Sequence, residues 1–186
     1  MGYEQPRYVV ERRYEDFEIR KYEPYIVAET EVEGVRQSAG TEGFRRLAGY
    51  IFGKNRRSEK LAMTAPVTQT KGIRIAMTAP VAEMASEKRD DRFLVQFMMP
   101  SQFRIETLPK PLDERIHFRK IPPRRMAAIR YSGSWSEKRY LSHLDRLRTA
   151  MRQKGIEEKG DPIWARYDPP FKPWFLRRNE ILIEIG

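Results

Sequence analysis

Apolar residues recur with two different periods along the chain. At Phe93, Val95 and Phe97, and again at Ile181, Ile183 and Ile185, every second residue is apolar. That is the spacing of a strand with one buried face. Phe44, Leu47, Ala48 and Ile51 fall instead at i, i+3, i+4 and i+7, one face of a helix. Tyr140, Leu144, Leu147 and Met151 make a second helical stripe. Ser38 is the expected N-cap of the first helix and Gly53 its stop. Ser134 and Glu137 have the spacing of a capping box for the second, which Gly155 would end.

Two strand-like segments share one template. RKYEPYIVAETEVEG starts at Arg20 and RKIPPRRMAAIRYSG at Arg119. Arg20-Lys21 matches Arg119-Lys120, Pro24 matches Pro123, Ala28 matches Ala127 and Gly34 matches Gly133, each 99 residues apart. Each template is followed by a helix and then by further strands. The pattern predicts an α+β fold with a mostly antiparallel sheet, built from two pseudo-symmetric halves at about 14–100 and 113–186. Two such halves closing into a barrel-like arrangement would remove sheet edges. One domain over 1–186 is the expectation from length.

The hexapeptide AMTAPV occurs twice, from Ala62 and from Ala76. The stretch between the copies predicts adjacent strands turning near Lys71-Gly72. A proline cannot donate to a ladder, so each copy should end, bulge or lie at an edge at Pro66 and Pro80. Met63 and Met77 would supply soft apolar surface, to a core or to a ligand.

Composition narrows the chemistry. The absence of cysteine excludes disulfides, thiolate metal sites and a Cys nucleophile, and fits a reducing, cytoplasmic setting. No apolar run reaches the ~18 residues of a spanning helix. The start, MGYEQPRYVVERRYED, shows no apolar signal core, and Pro6 stands where a myristoylation site needs Ser or Thr. Thirty-six basic against 26 acidic residues give a net charge of +10, which favours anionic partners. The basic residues are spread along the chain, with no helix-turn-helix, RNP-like or zinc-finger pattern, so no specific nucleic-acid partner is expected. No nucleophile elbow, Walker loop or metalloprotease motif marks an enzyme.

Several ordered motifs together resemble the SOUL haem-binding protein family, in its bacterial form. They are FEIRKYEPYIVAET from Phe17, GFRRLAGYIFGKN from Gly43, KLAMTAPV from Lys60, FMMPSQF from Phe97, LPKPLDERIHFR from Leu108, YSGSW from Tyr131 and YDPPFKPWFLRRNEILI from Tyr167. The resemblance runs from about Tyr14 to Gly186. It implies a distorted antiparallel β-barrel with two helices, similar to the effector-binding domains of bacterial regulators. It also implies non-covalent binding of haem or another porphyrin in an apolar pocket against the first helix. By the same resemblance, Phe44, Leu47, Ala48 and Ile51 match pocket-lining positions, Met63 is a neighbouring candidate, and Lys172 matches a basic position at the rim.

A tetrapyrrole is a flat apolar disc with two carboxylates, so its site needs an apolar wall, close approach and cations at the edge. Gly40, Gly43 and Gly49 in the first helix would allow close approach, by a ligand or by the sheet. Arg45, Arg46 and Lys54 would meet carboxylates or form a solvated face. Iron ligation has few donors. Cysteine is absent, and the two histidines are His117, in a strand, and His143, off the second helical stripe. Some family members carry a His in the segment that here reads EIRKY, where Lys21 stands. The expectation is therefore a tetrapyrrole held without a His ligand and no protein metal site. The alternative is a small-molecule effector-binding module for amphipathic or cationic ligands, with Glu180 either salt-bridged to its arginine neighbours or facing the cavity.

Overall fold

Pro24 and Pro123 each split one copy of the template into two strands, and the two pieces go to different halves of the sheet. In a computed structural model that describes residues 3–71 and 92–186, the first copy gives β2 (Glu18–Tyr22) and β3 (Tyr25–Glu33), and the second gives β6 (His117–Ile121) and β7 (Arg124–Ser132). Proline has no N–H for the ladder and fixes its own φ, so the strand breaks there. β2 then pairs with β7, and β6 with β3, all antiparallel. Each half thus lends one strand to the other.

The remaining strands among the described residues are β1 (Tyr8–Arg13), β4 (Val67–Lys71), β5 (Arg92–Met98), β8 (Ile163–Arg166) and β9 (Arg178–Ile185). Together they form one nine-stranded antiparallel sheet, curled like a half-barrel, in the order β1-β2-β7-β9-β8-β4-β5-β3-β6. Leaving β1 aside, the order is a palindrome when β2 is exchanged with β6, β3 with β7, β4 with β8 and β5 with β9. The pseudo-twofold passes through the β4–β8 pair, where Val67 faces Arg166 and Gln69 faces Trp164. Gly34 and Gly133 both have φ +127°. They make equivalent turns out of β3 and β7, in a region that L side chains rarely enter.

Two helices follow these turns: α1 (Arg36–Ile51) and α2 (Glu137–Gln153). Their starts differ from the sequence expectation. Val35 is the N-cap of α1, and Ser38 lies inside the first turn, donating its hydroxyl to the Val35 carbonyl at 3.0 Å. Ser136, not Ser134, caps α2 by accepting from the Arg139 N–H. Glu137 is the first helical residue there, so the capping-box spacing is accidental. Ser134 and Trp135 are used in the turn that follows Gly133. Gly53 and Gly155 do follow the helix ends, at φ +111° and +67°.

Each helix covers one face of its half-sheet. Tyr140, Leu144, Leu147 and Met151 of α2 pack with Ile129, Trp164, Ile181 and Ile183. Leu47, Tyr50 and Ile51 of α1 pack with Ala28, Val95 and Phe97. Burying each such side chain is worth about 1.5–3 kcal/mol. The close seat of α1 needs Gly43, where an added Cβ would lie 2.5 Å from a Val95 methyl. A third cluster, including Tyr22, Met126, Ile163 and Leu182, occupies the opposite face of the strands. Of the duplicated hexapeptide, the first copy leads into β4: Pro66 immediately precedes the strand, the position a proline tolerates. The second copy lies outside the described residues.

Candidate ligand-binding cleft

A cleft of about 330 Å³ opens where α1, the approach to β4 and the end of β8 meet. One wall is the N-terminal half of α1, through Gln37, Gly40, Thr41 and Phe44. A second is the first hexapeptide, through Met63, Thr64, Ala65 and Val67. Trp135 and the Arg166–Pro170 segment complete it, with Tyr3 at the opening. The volume lies near the lower end of the range for small-molecule sites, and the lining is mostly apolar and aromatic, as such sites require.

Local sequence explains each wall. Gly40 has no side chain to fill the space, and a Cβ there would come within 2.7 Å of the Gln69 amide oxygen. Phe44 is held by Phe97, with ring centroids 5.4 Å apart, and remains 37% exposed. β8 ends at Arg166, and Pro169 and Pro170, which have no N–H for a ladder, line the cleft beyond it. Trp135 is brought in by the turn that begins at Gly133.

The charges around the cleft are paired unequally. Asp168 accepts from Lys172 Nζ at 2.6 Å and from the Arg178 backbone N–H at 2.5 Å. Burial would raise its carboxyl, but these two donors hold it below its usual range. Arg166 has no carboxylate partner among the described residues. Its guanidinium stacks over Trp164 at 4.0 Å and lies 5.1 Å from the Trp135 ring centre. Burial pushes its pKa down to about 10, with Arg36 adding to the shift, so it stays charged at neutral pH. The buried Trp135 Nε1–H and Gln69 Oε1 also have no hydrogen-bond partner.

The residues expected to form the site are thus separated. Phe44 and Met63 line the cleft. Leu47 and Ile51 are fully buried and face the sheet within the α1 cluster. Ala48 is buried but does not line the cleft. The helical stripe that the sequence shows is therefore divided: Leu47 and Ile51 face the core, while its first member, Phe44, faces the cleft with Gln37, Gly40 and Thr41 of the preceding turns. Lys172 reaches the cleft only through Asp168. Of the three glycines, Gly43 serves the sheet and Gly40 the cleft, while Gly49 abuts the Lys54 side chain. Arg166 and Trp135 also line the cleft and were not expected there, because arginine at the end of a strand and tryptophan in a turn carry no periodic signal.

Neither histidine lines the cleft. His117 is exposed on β6. His143 is half-buried, stacked on Tyr131 at 4.1 Å, and burial with nearby Arg139 and Arg146 lowers its pKa. Lys21 is exposed on β2. Glu180 is fully buried, and its two oxygens accept from Arg20, Arg178 and Tyr167. Of the two roles considered for Glu180, the salt-bridged one is observed. Among the described residues no cluster of His, Asp and Glu is arranged to hold a metal ion, and no helix is long and apolar enough to cross a membrane.

The family model described as SOUL heme-binding protein matches residues 3–72 and 69–184. This chain belongs to the SOUL family. Heme-binding protein 1 of Xenopus tropicalis is 30% identical over 166 residues, covering 89% of this chain and 81% of the relative. Heme-binding protein 2 of Homo sapiens is 27% identical over 173 residues, covering 88% and 79%. Among solved structures, the EcmrR C-terminal domain aligns with a TM-score of 0.64 at 13% identity, covering 90% of this chain and 95% of that one. This chain thus shares its fold with the EcmrR C-terminal domain.

Proposed function

We propose that this SOUL protein binds haem or a related tetrapyrrole, non-covalently, in the cleft between α1 and the end of β8. The observation that carries the reading is the cleft itself: an apolar, aromatic slot with an unneutralised guanidinium on its wall, in a chain whose relatives are named heme-binding proteins. Its residues fit the ligand. Phe44, Met63, Val67 and Trp135 offer apolar surface to a flat ring system. Arg166 offers a cation to a carboxylate. Haem would bring an iron centre, and the ligand-type side chains nearby are the Met63 thioether and the Tyr3 and Tyr167 phenols. Tyr167 already donates to Glu180 at 2.8 Å, and both histidines lie elsewhere, so the protein holds the disc by apolar contact and not through a His axial ligand. The role is binding without catalysis, in a cytoplasmic protein.

Titration with haemin and protoporphyrin IX, followed at the Soret band, tests this. Micromolar binding of both, without a six-coordinate bis-His spectrum, is expected. Phe44→Asp should abolish it while the far-UV circular dichroism stays unchanged. Undiminished affinity in that variant would exclude the cleft.

The effector-module alternative uses the same cleft. Its cationic form finds no support in Glu180, whose oxygens are committed to Arg20, Arg178 and Tyr167. An amphipathic anionic effector would fit as a tetrapyrrole does.

A further inference from the structure

We infer that Arg166 is the specificity-determining residue of the cleft, selecting planar apolar ligands that carry a carboxylate over their neutral counterparts. This rests on the cleft reading above and narrows it to a chemical class.

Arg166 ends β8 at the pseudo-twofold seam, directly opposite Val67 of β4. Both residues line the cleft, so the charge sits at the junction of its two apolar walls. The side chain is fixed from behind by Trp164, 4.0 Å from the guanidinium carbon, itself buried against Tyr140. Among the described residues it donates to no carboxylate. The neighbouring charges are engaged otherwise: Asp168 by Lys172 and the Arg178 backbone, Arg178 by Glu180, and Arg177 by the Lys172 carbonyl at 2.8 Å. A partly buried guanidinium stacked on Trp164, with no carboxylate partner among the described residues, gives up part of its hydration in the empty protein. A ligand carboxylate recovers that cost through charge-assisted, two-pronged hydrogen bonds, whose planar geometry suits arginine and not lysine. The neighbouring Trp135 indole N–H, buried and without a partner, is a further donor beside it. A neutral ligand of the same shape would cover the guanidinium without matching it, beside the unpartnered Trp135 N–H, which is a strong basis for rejection.

The test uses two acid and ester pairs: protoporphyrin IX with its dimethyl ester, and 1-pyrenebutyric acid with its methyl ester. Binding to the full chain is read by quenching of ligand or tryptophan fluorescence. Each acid should bind at least about tenfold more tightly than its ester, the worth of one charge-assisted hydrogen bond pair. Arg166→Met, which keeps the stem over Trp164, should lose that preference by weakening the acids and sparing the esters. Arg166→Lys should restore only part of it. Equal affinity of the unmodified protein for acid and ester overturns the inference even if Arg166→Met does not fold. So does a variant that weakens acids and esters alike. If porphyrins are refused while pyrenebutyrate is preferred over its ester, the tetrapyrrole reading falls and the role of Arg166 stands. If both porphyrins bind equally, the reverse holds. Refusal of every probe overturns both.

Discussion

Arg20 of β2 and Glu180 of β9, on strands separated by β7, form a two-pronged ion pair, with Nη1–Oε2 at 2.8 Å and Nη2–Oε1 at 3.2 Å. Arg20 is 4% exposed and Glu180 not at all. Arg178 and Tyr167 fill the remaining positions around the carboxylate, and Tyr22 takes another Arg20 donor at 3.2 Å. Removing the carboxylate charge leaves the buried Arg20 with Glu18, 2.9 Å from its Nε, as its remaining ion partner. Glu180→Gln should therefore lower stability by about 1–3 kcal/mol, read from urea midpoints. It should leave the tetrapyrrole affinity of the folded fraction unchanged.

The same pair sets an acid limit on stability. Burial alone would raise the Glu180 carboxyl, but the Arg20 hydrogen bond and charge, helped by Arg178, hold it below its ordinary value of 4.5. A depressed carboxylate stabilises the native state fully above its unfolded value, and that contribution is lost as pH falls through the folded one. Urea midpoints should accordingly be flat with respect to this group above about pH 5 and decline on acidification below it. Glu180→Gln should shed that part of the decline.

Phe44 and Leu47 separate binding from folding on one helix. Leu47→Ala opens a cavity under α1 and should cost about 2–5 kcal/mol, with porphyrin affinity of the folded protein nearly unchanged. Phe44→Ala should do the opposite, weakening porphyrin binding while thermal melting moves little. Paired melting curves and Soret titrations on the two variants check this crossing of effects.

Gly43 and Val95 fix the distance between α1 and the sheet. With a Cβ only 2.5 Å from the Val95 methyl, Gly43→Ala should destabilise by about 1–3 kcal/mol through overpacking. Val95→Ala in the same chain should recover part of that loss, despite being destabilising alone. A double-mutant cycle in urea measures the coupling.

Arg166 gives ligand binding its pH profile. Burial sets its pKa at about 10, so it is charged through neutrality and loses its proton only above that point. Affinity for protoporphyrin IX should hold level from about pH 6 to 9 and fall as pH rises past about 10, where the cation is lost. A histidine-dependent site would instead change between about pH 5 and 8. Fluorescence titrations across this range distinguish them.

Much of the fold was legible because it is written in periodic signals. The 99-residue match of Pro24 with Pro123 and Gly34 with Gly133 marks the strand breaks and turns of both halves. The stripe of Tyr140, Leu144, Leu147 and Met151 identified the buried face of α2. Strand exchange was not legible, since nothing in RKYEP or RKIPP says which half the strand before the proline will join. The candidate cleft was legible only in part. Phe44 and Met63 reach the cleft, but an apolar stripe reports burial, and the most buried members, Leu47 and Ile51, belong to the core. Glycine and threonine at Gly40 and Thr41 line a cleft by being small, which hydrophobic patterning cannot show. Arg166 owes its character to having no carboxylate partner among the described residues, Asp168 being taken by Lys172 and the Arg178 backbone, and no local pattern records that.

The most direct test of the tetrapyrrole cleft is a residue-resolved map of where the ligand lies. Protoporphyrin IX should be titrated into isotope-labelled protein and followed by nuclear magnetic resonance. The account expects the largest shifts at Thr41, Phe44, the Met63 methyl, the Trp135 indole and the Arg166 side chain. Shifts centred instead on another surface, such as the groove between Glu4, Tyr25 and Lys120, with those five unmoved, would contradict it.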